Sequence, residues 1–388
     1  MIDSIIQLFF VVFVGSALLA VGALYARQAM ILGYILLGVL CGPSGFDLFP
    51  QTQAVTDLGE VGIMFLLYLL GLNLYPQKLI KMLGEALSVT LVAALACAAV
   101  GALVAQLAGL SLIDTAFVAV CTAFSSTILG LKLLPTTALH HRHAGEIVIS
   151  VLLLQDLIAI IVLVSISAIA AGSGDLTGAA LPLIGLPLVV LVGFAAKRWL
   201  LTPLIERFDT IQEFVFLVAI AWCLGLAQFG HMFGLTYEVG AVVAGVVVAT
   251  SNIARFIAEQ LRPLRDFFLV VFFFSLGAST NVNTMLDVLI PSLGLAVAVL
   301  IGKPLVFGWL LTRHGEPKSL SQEIGLRLGQ MSEFSLLVAA LAALNGIISE
   351  QATALITTTT LLTLVASSHL IVSRVPNPIA TDPKLRRD

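Results

Sequence analysis

Charged side chains are scarce in this sequence: 11% of its 388 residues are Asp, Glu, Lys or Arg, against roughly a quarter in soluble domains. With 59% hydrophobic residues and a mean hydropathy of +1.09, that shortage excludes a water-soluble globular chain and points to an integral membrane protein. Cysteine is also rare. Cys41, Cys97, Cys121 and Cys223 lie in apolar runs without CxxC spacing, which argues against disulfides or zinc and leaves them as small packing residues. The basic residues form no stripe and the net charge is −3, so nucleic-acid binding has no support. No Lys or Arg precedes the first apolar run, which begins at about Ile5 behind Asp3. A cleaved signal peptide needs a basic start, so this run is expected to stay in the mature protein. There is no P-loop, no GxGxxG behind a strand, and no Ser, His, Asp constellation spaced for catalysis, which argues against an enzyme and against ATP-driven transport.

What the sequence does hold is apolar runs. Counting about 20 residues per crossing and allowing broken helices, spans fall near 5–26, 28–42, 55–74, 85–108, 113–134, 145–171, 182–201, 211–229, 236–251, 264–282, 286–311, 320–345 and 352–373. The expectation is an all-α polytopic membrane protein of about thirteen transmembrane helices forming one domain over 1–375, with 376–388 a disordered, Pro-rich, basic cytoplasmic tail. With the N-terminus outside, 18 of the 19 basic residues fall on or near the cytoplasmic side, and the six opposite loops hold no Lys or Arg. That asymmetry predicts a multi-pass plasma-membrane protein, in bacteria the inner membrane, with its C-terminus in the cytoplasm. The runs divide into blocks of six at about 5–171 and 211–373, flanking 182–201 as a linker. Each block carries a matching polar interruption, which predicts two inverted repeats.

The interruptions are Thr122-Ala-Phe-Ser125-Ser126-Thr127 in the fifth span and Gly329-Gln330-Met331-Ser332-Glu333-Phe334-Ser335 in the twelfth. Adjacent polar side chains cannot share one helical face. Unwinding there would free carbonyls and helix ends to line a cavity, where irregular backbone survives at that depth. The competing reading has Ser and Thr bonding back to carbonyls of intact helices. Gly33-Tyr-Ile-Leu-Leu-Gly38-Val-Leu-Cys-Gly42-Pro43 and Gly240-Ala-Val-Val-Ala244-Gly245 read as small-residue faces for close helix packing.

Asp156 sits mid-way along the apolar run 150–165. A lone carboxylate in hydrocarbon costs several kcal/mol, roughly, so Asp156 is expected to face protein or water as a proton or cation site. A carboxyl group there holds a proton or a monovalent cation, never both, and that competition is itself an exchange mechanism. Gln155 would add an amide oxygen, and Ser125, Ser126 and Thr127 hydroxyl or carbonyl oxygens. With one carboxylate the exchange is one for one and moves no net charge. Lys303 is the one basic residue deep inside a span. It needs a counter-charge or a lowered pKa, and as counter-charge Asp156, when the cation is absent, and Glu333 are both open; it serves either transport or as a brace between helices. Glu333 has the same two readings, with Arg327, six residues earlier, as a less well-aligned partner on a continuous helix. Glu60 and Glu238 read as solvated residues near the outer face. His140-His141-Arg142-His143 reads as a solvated loop, with pH sensing the alternative.

Taken together, the early Gly-Tyr-Ile-Leu-Leu-Gly-Val-Leu-Cys-Gly-Pro, the Ser-Ser-Thr crossover, Leu-Leu-Leu-Gln-Asp-Leu-Ile-Ala-Ile, Val-Gly-Ala-Val-Val-Ala-Gly, Phe-Phe-Phe-Ser-Leu-Gly-Ala, Gly-Lys-Pro-Leu and Gly-Gln-Met-Ser-Glu-Phe resemble, in order and spacing, the cation/proton antiporter superfamily, most closely its Kef-type potassium/proton antiporters. The resemblance implies an NhaA-like antiporter fold with crossed unwound helices at the fifth and twelfth spans. It also implies a homodimer in membrane lipid, a moving core and elevator-like alternation, and transport of K+ or Na+ against H+ without a cofactor. Asp156 matches the family's ion- and proton-binding aspartate, Gln155 its polar neighbour, Lys303 the core lysine and Glu333 the acid of the second crossover. Relatives that move net charge carry two adjacent acids where this chain has Gln155-Asp156, so the resemblance points to the electroneutral type. Kef-type members usually continue into a cytoplasmic nucleotide-binding domain. Gating here would need such a domain as a further segment or a separate regulatory subunit. A gated cation channel is the alternative from another class, and a non-transporting sensor or scaffold a third.

Overall fold

The computed structural model describes residues 5–26, 28–48, 53–72, 86–127, 143–171, 176–208, 210–251 and 253–374. The histidine cluster up to Arg142 and the tail 376–388 lie outside them. In chain order the helices are α1 (Ile5–Phe10), α2 (Ser16–Tyr25), α3 (Met30–Cys41), α4 (Gln53–Leu72), α5 (Ala86–Leu107), α6 (Leu112–Ala123), α7 (His143–Ala171), α8 (Leu176–Ala196), α9 (Thr202–Phe208), α10 (Gln212–Met232), α11 (Tyr237–Ala249), α12 (Ile253–Gln260), α13 (Arg262–Ala278), α14 (Val282–Asp287), α15 (Leu289–Arg313), α16 (Lys318–Arg327), α17 (Glu333–Leu344) and α18 (Glu350–Arg374). Helix thus occupies most of the described part of every expected apolar run. Among the described residues seven helices are long and apolar enough to cross a bilayer, and α3, α6, α11 and α17 are shorter apolar helices. The chain is all-α among the described residues and is an integral membrane protein.

The helices group into two compact units, and each unit draws on both halves of the sequence. One comprises residues 53–80 and 160–275. Its core is Tyr68, Leu72, Val243, Ala244, Val247 and their neighbours, with the Phe65 and Phe268 rings stacked 4.7 Å apart. Here α4 lies along α11, and α11 along α10. Glycine sets these distances. A Cβ on Gly245 would run into the Tyr68 carbonyl and come within 2.8 Å of the Gly71 Cα, and one on Gly240 would lie 2.5 Å from the Ala227 Cα. Gly245→Ala is therefore expected to lower stability by about 1–3 kcal/mol. A thermal melt in detergent indistinguishable from that of the parent would contradict the backbone contact.

The other unit comprises residues 1–52, 81–159 and 276–388. The small-residue face of α3 is used here too, since a Cβ on Gly42 would lie 2.5 Å from the Ala278 carbonyl oxygen. In the same unit α5 packs on α6 and α15, α15 on α16 and α18, and α17 on α6 and α18. All four cysteines of the chain are buried free thiols.

Two π turns interrupt otherwise regular helices, Val11–Gly15 between α1 and α2 and Lys197–Leu201 between α8 and α9. Around them buried residues fall at multiples of four: Leu8, Val12, Ser16 and Ala20 in one case, and Val189, Gly193, Leu201 and Ile205 in the other, with half-buried Lys197 at the intervening position. An α-helix advances about 100° per residue, so a four-residue spacing drifts by about 40° at each step. Each π turn absorbs one residue of that drift and keeps its stripe on one side.

Candidate ion-binding site

Both polar interruptions are breaks in helices. α6 begins with an N-cap: the Ser111 hydroxyl accepts from the Asp114 amide at 3.1 Å and donates to the Asp114 carboxylate at 2.9 Å. The other carboxylate oxygen accepts from the Ser349 amide at 2.8 Å, just before α18, which ties the starts of these two helices together. α6 then stops at Ala123, and Phe124 turns to extended backbone at φ −80° and ψ 143°. In the second case α16 ends at Arg327 and α17 starts at Glu333, leaving 328–332 non-helical. The reading in which Ser and Thr decorate intact helices is thereby set aside at both places.

A broken helix inside a membrane must find partners for its freed backbone groups. At the first break Gln155 supplies them. Its Oε1 accepts from the Ser125 amide at 2.9 Å and its Nε2 donates to the Ala123 carbonyl at 3.2 Å, so one side chain clasps the chain on both sides of Phe124. At the second break the Met331 amide donates to Thr363 Oγ1 at 3.2 Å, Gln330 Nε2 donates to the Arg327 carbonyl at 2.9 Å, and Ser367 Oγ donates to Gln330 Oε1 at 2.9 Å. Ser332 caps α17 by accepting from the Phe334 amide.

The breaks also touch each other. Ser125 Oγ donates to the Leu328 carbonyl at 2.9 Å, and Ser335 Oγ to the Cys121 carbonyl at 2.7 Å. Between them lies Lys303, 1% exposed, on α15. Its Nζ donates to the Phe124 carbonyl at 2.5 Å, the Gln330 carbonyl at 3.0 Å and Ser125 Oγ at 3.4 Å. The partners found for Lys303 are thus freed carbonyls at two helix C-terminal ends, where a cation is favoured, and neither of the two carboxylates considered from sequence. Pro304 follows it, and the glycines at 325 and 329 let α16 lie against that proline, since a Cβ on either would come within 2.8 Å of it.

Arg327 is the last residue of α16. Its guanidinium pairs with Glu323, four residues earlier, at 2.8 and 3.1 Å. The break at 328–332 interrupts the helical phase that a pairing with Glu333 along one helix would require, whereas Glu323 lies one turn back on α16.

Asp156 follows Gln155 on α7 and is half-buried. The Thr127 hydroxyl and the Glu333 carboxyl group lie in its surroundings. The Thr127 hydroxyl, itself buried, closes no well-formed hydrogen bond. Glu333 is buried in the first turn of α17, where the helix N-terminus favours negative charge. Ser126 is buried at the first break. The structure therefore places Ser125, Ser126, Thr127, Gln155, Asp156, Lys303 and Glu333 around the two breaks, and Arg327 at the end of the helix entering the second. Sequence reasoning missed Thr363 and Ser367. The available signal was the recurrence of hydroxyl residues at 359, 363 and 367, in a helix that also carries Thr357, Thr358, Thr360 and Ser368.

The family model "Sodium/hydrogen exchanger, transmembrane" matches residues 7–372. The chain belongs to that family. Within the cation/proton antiporter superfamily it lies on the Kef branch. It is 28% identical over 372 residues to K(+) efflux antiporter 6 of Arabidopsis thaliana, covering 90% of this chain and 60% of that protein. To the glutathione-regulated potassium-efflux system protein KefC of Klebsiella pneumoniae it is 27% identical, covering 93% and 59%. The iron transporter MagA of Paramagnetospirillum magneticum is 29% identical, covering 88% and 79%. The chain thus spans about 60% of the length of the first two of these relatives. Its fold is that of the sodium proton antiporter MjNhaP1 from Methanocaldococcus jannaschii, with a TM-score of 0.67, 15% identity, and coverage of 94% of this chain and 95% of the other.

Proposed function

We propose that the chain is a secondary active transporter that exchanges K+ or Na+ for protons, one for one, with Asp156 as the shared site. The observation that carries this reading is the setting of Asp156: a carboxyl group in an apolar helix beside an interrupted one, with a buried hydroxyl and a second acid in its surroundings. Cation and proton compete for that carboxylate, and only the neutralised site crosses the low-dielectric barrier. Ser125, Ser126 and Thr127 contribute oxygens, and Gln155 serves the site by holding the backbone that presents them. Glu333 draws the cation inward electrostatically. Family membership supports antiport. The choice of cargo belongs to the proposal, since the relatives' names include potassium and iron and the structural neighbour's sodium. The proposal includes about thirteen crossings in two inverted repeats, the N-terminus outside, a homodimer and elevator-like alternation.

The test is exchange in proteoliposomes loaded with a pH-sensitive dye. Pulses of K+ or Na+ are expected to drive saturable proton movement whose rate is the same at zero potential and at 100 mV, although a net charge would feel about 2.3 kcal/mol at that potential. Cation flux without proton movement would instead mark a channel and overturn the reading.

A further inference from the structure

The two breaks are held by different means. The first is clasped by a residue adjacent to Asp156, whereas the second is held from α18, a helix that contributes nothing to the proposed ion site. Thr363 uses its hydroxyl twice, accepting from the Met331 amide at 3.2 Å and donating to the Thr360 carbonyl at 3.0 Å. One turn on, Ser367 donates to Gln330 Oε1, while Gln330 Nε2 donates to the Arg327 carbonyl. Gln330, Met331, Thr363 and Ser367 are all buried, so water offers these groups no easy substitute. The backbone carbonyl of Gln330 is in turn an acceptor for Lys303, and Met331 stands two residues before Glu333, in the first turn of α17.

We propose that Thr363 and Ser367 are positioning residues: they set the second break in register, and through it place the Gln330 carbonyl under Lys303 and fix the start of α17, which carries Glu333. Their hydroxyls are not ligands. They act through Met331 and Gln330, and their loss changes how well the site holds its cation. This inference rests on the antiport reading for its kinetic readout only.

Thr363→Val keeps the shape of the side chain and removes the acceptor of the Met331 amide, and Thr363→Ser restores it. Ser367→Ala releases the Gln330 side chain alone and leaves every backbone partner in place. Two measurements are made on each purified, full-length variant. The first is hydrogen exchange by mass spectrometry on the peptide covering 328–333, with a peptide from α10 as control. The expected result is about tenfold faster exchange in the 328–333 peptide for Thr363→Val, a smaller rise for Ser367→Ala, parental rates for Thr363→Ser, and no change in the control. The second is the half-saturating K+ or Na+ concentration in proteoliposomes. It is expected to rise about tenfold in Thr363→Val and to return in Thr363→Ser, with the maximal rate much less affected. Parental exchange of 328–333 in both Thr363→Val and Ser367→Ala overturns the proposal. So does an altered half-saturation that Thr363→Ser leaves uncorrected, or a fall in maximal rate alone. If the parent itself moved no protons, the function assigned above would fail, while the hydrogen-exchange comparison would still decide whether α18 sets the break.

Discussion

Asp156→Asn is expected to reduce cation-coupled proton movement to the level of protein-free liposomes. The amide has nearly the volume of the carboxyl group and offers Thr127 a hydrogen-bonding partner, so the local packing is kept. What is lost is the ability to carry a proton in one half-cycle and a negative charge for a cation in the other. The substitution keeps a neutral side chain of the same shape inside an apolar helix, so the variant should melt close to the parental temperature. The Gln155 clasp on Ala123 and Ser125 does not involve residue 156 and should persist. Dye-reported exchange and a thermal melt on the same preparation make the check. Residual exchange at a tenth of the parental rate or more would remove Asp156 from the shared site.

Lys303→Met is expected to have the largest effect on stability. The ammonium is the donor that joins the Phe124 carbonyl to the Gln330 carbonyl, and both acceptors are buried where the two helices are interrupted. A buried acceptor left without a donor costs about 1–3 kcal/mol, hence about 2–6 kcal/mol for the pair. Relief from burying the ammonium offsets part of this, leaving a net loss of a few kcal/mol. Transport should fall with it, because the breaks lose the tie through Lys303 and keep only the Ser125–Leu328 and Ser335–Cys121 contacts. Lys303→Gln retains one donor and should lie between the two. A Lys303→Met protein that melts with the parent would show that the lysine is not what joins the breaks.

The contrast between those two residues shows what the sequence makes legible. Asp156 could be singled out because a carboxyl group inside an apolar run has few structural reasons to be there. The breaks were legible on the same ground, since Ser, Thr, Gln and Glu cluster at 122–127 and 329–335 where a spanning helix needs apolar residues. The surroundings of Lys303 were not. A sequence shows candidate carboxylates, whereas the acceptors here are main-chain carbonyls that every residue carries and only unwinding exposes. Gln155 illustrates the same limit, because an amide beside an acid looks like a source of ligand oxygen, and only coordinates reveal that both its polar atoms are engaged by backbone. Arg327 was read along a continuous helix, and the break removed that phase. Thr363 and Ser367 were overlooked because a hydroxyl in an apolar helix ordinarily bonds back to its own carbonyls.

The π turns at Val11–Gly15 and Lys197–Leu201 give the chain two places where length is not interchangeable with composition. Deleting one apolar residue from either would pass unnoticed in a hydropathy plot. In the molecule it would let the π turn close to ordinary α-helix and leave the buried stripe on one side, whereas the same deletion elsewhere in these helices would swing everything beyond it through about 100°. Each five-residue turn thus carries one residue more than the α-helical phase requires, and it is the place in these helices where a residue can be lost without turning the far side.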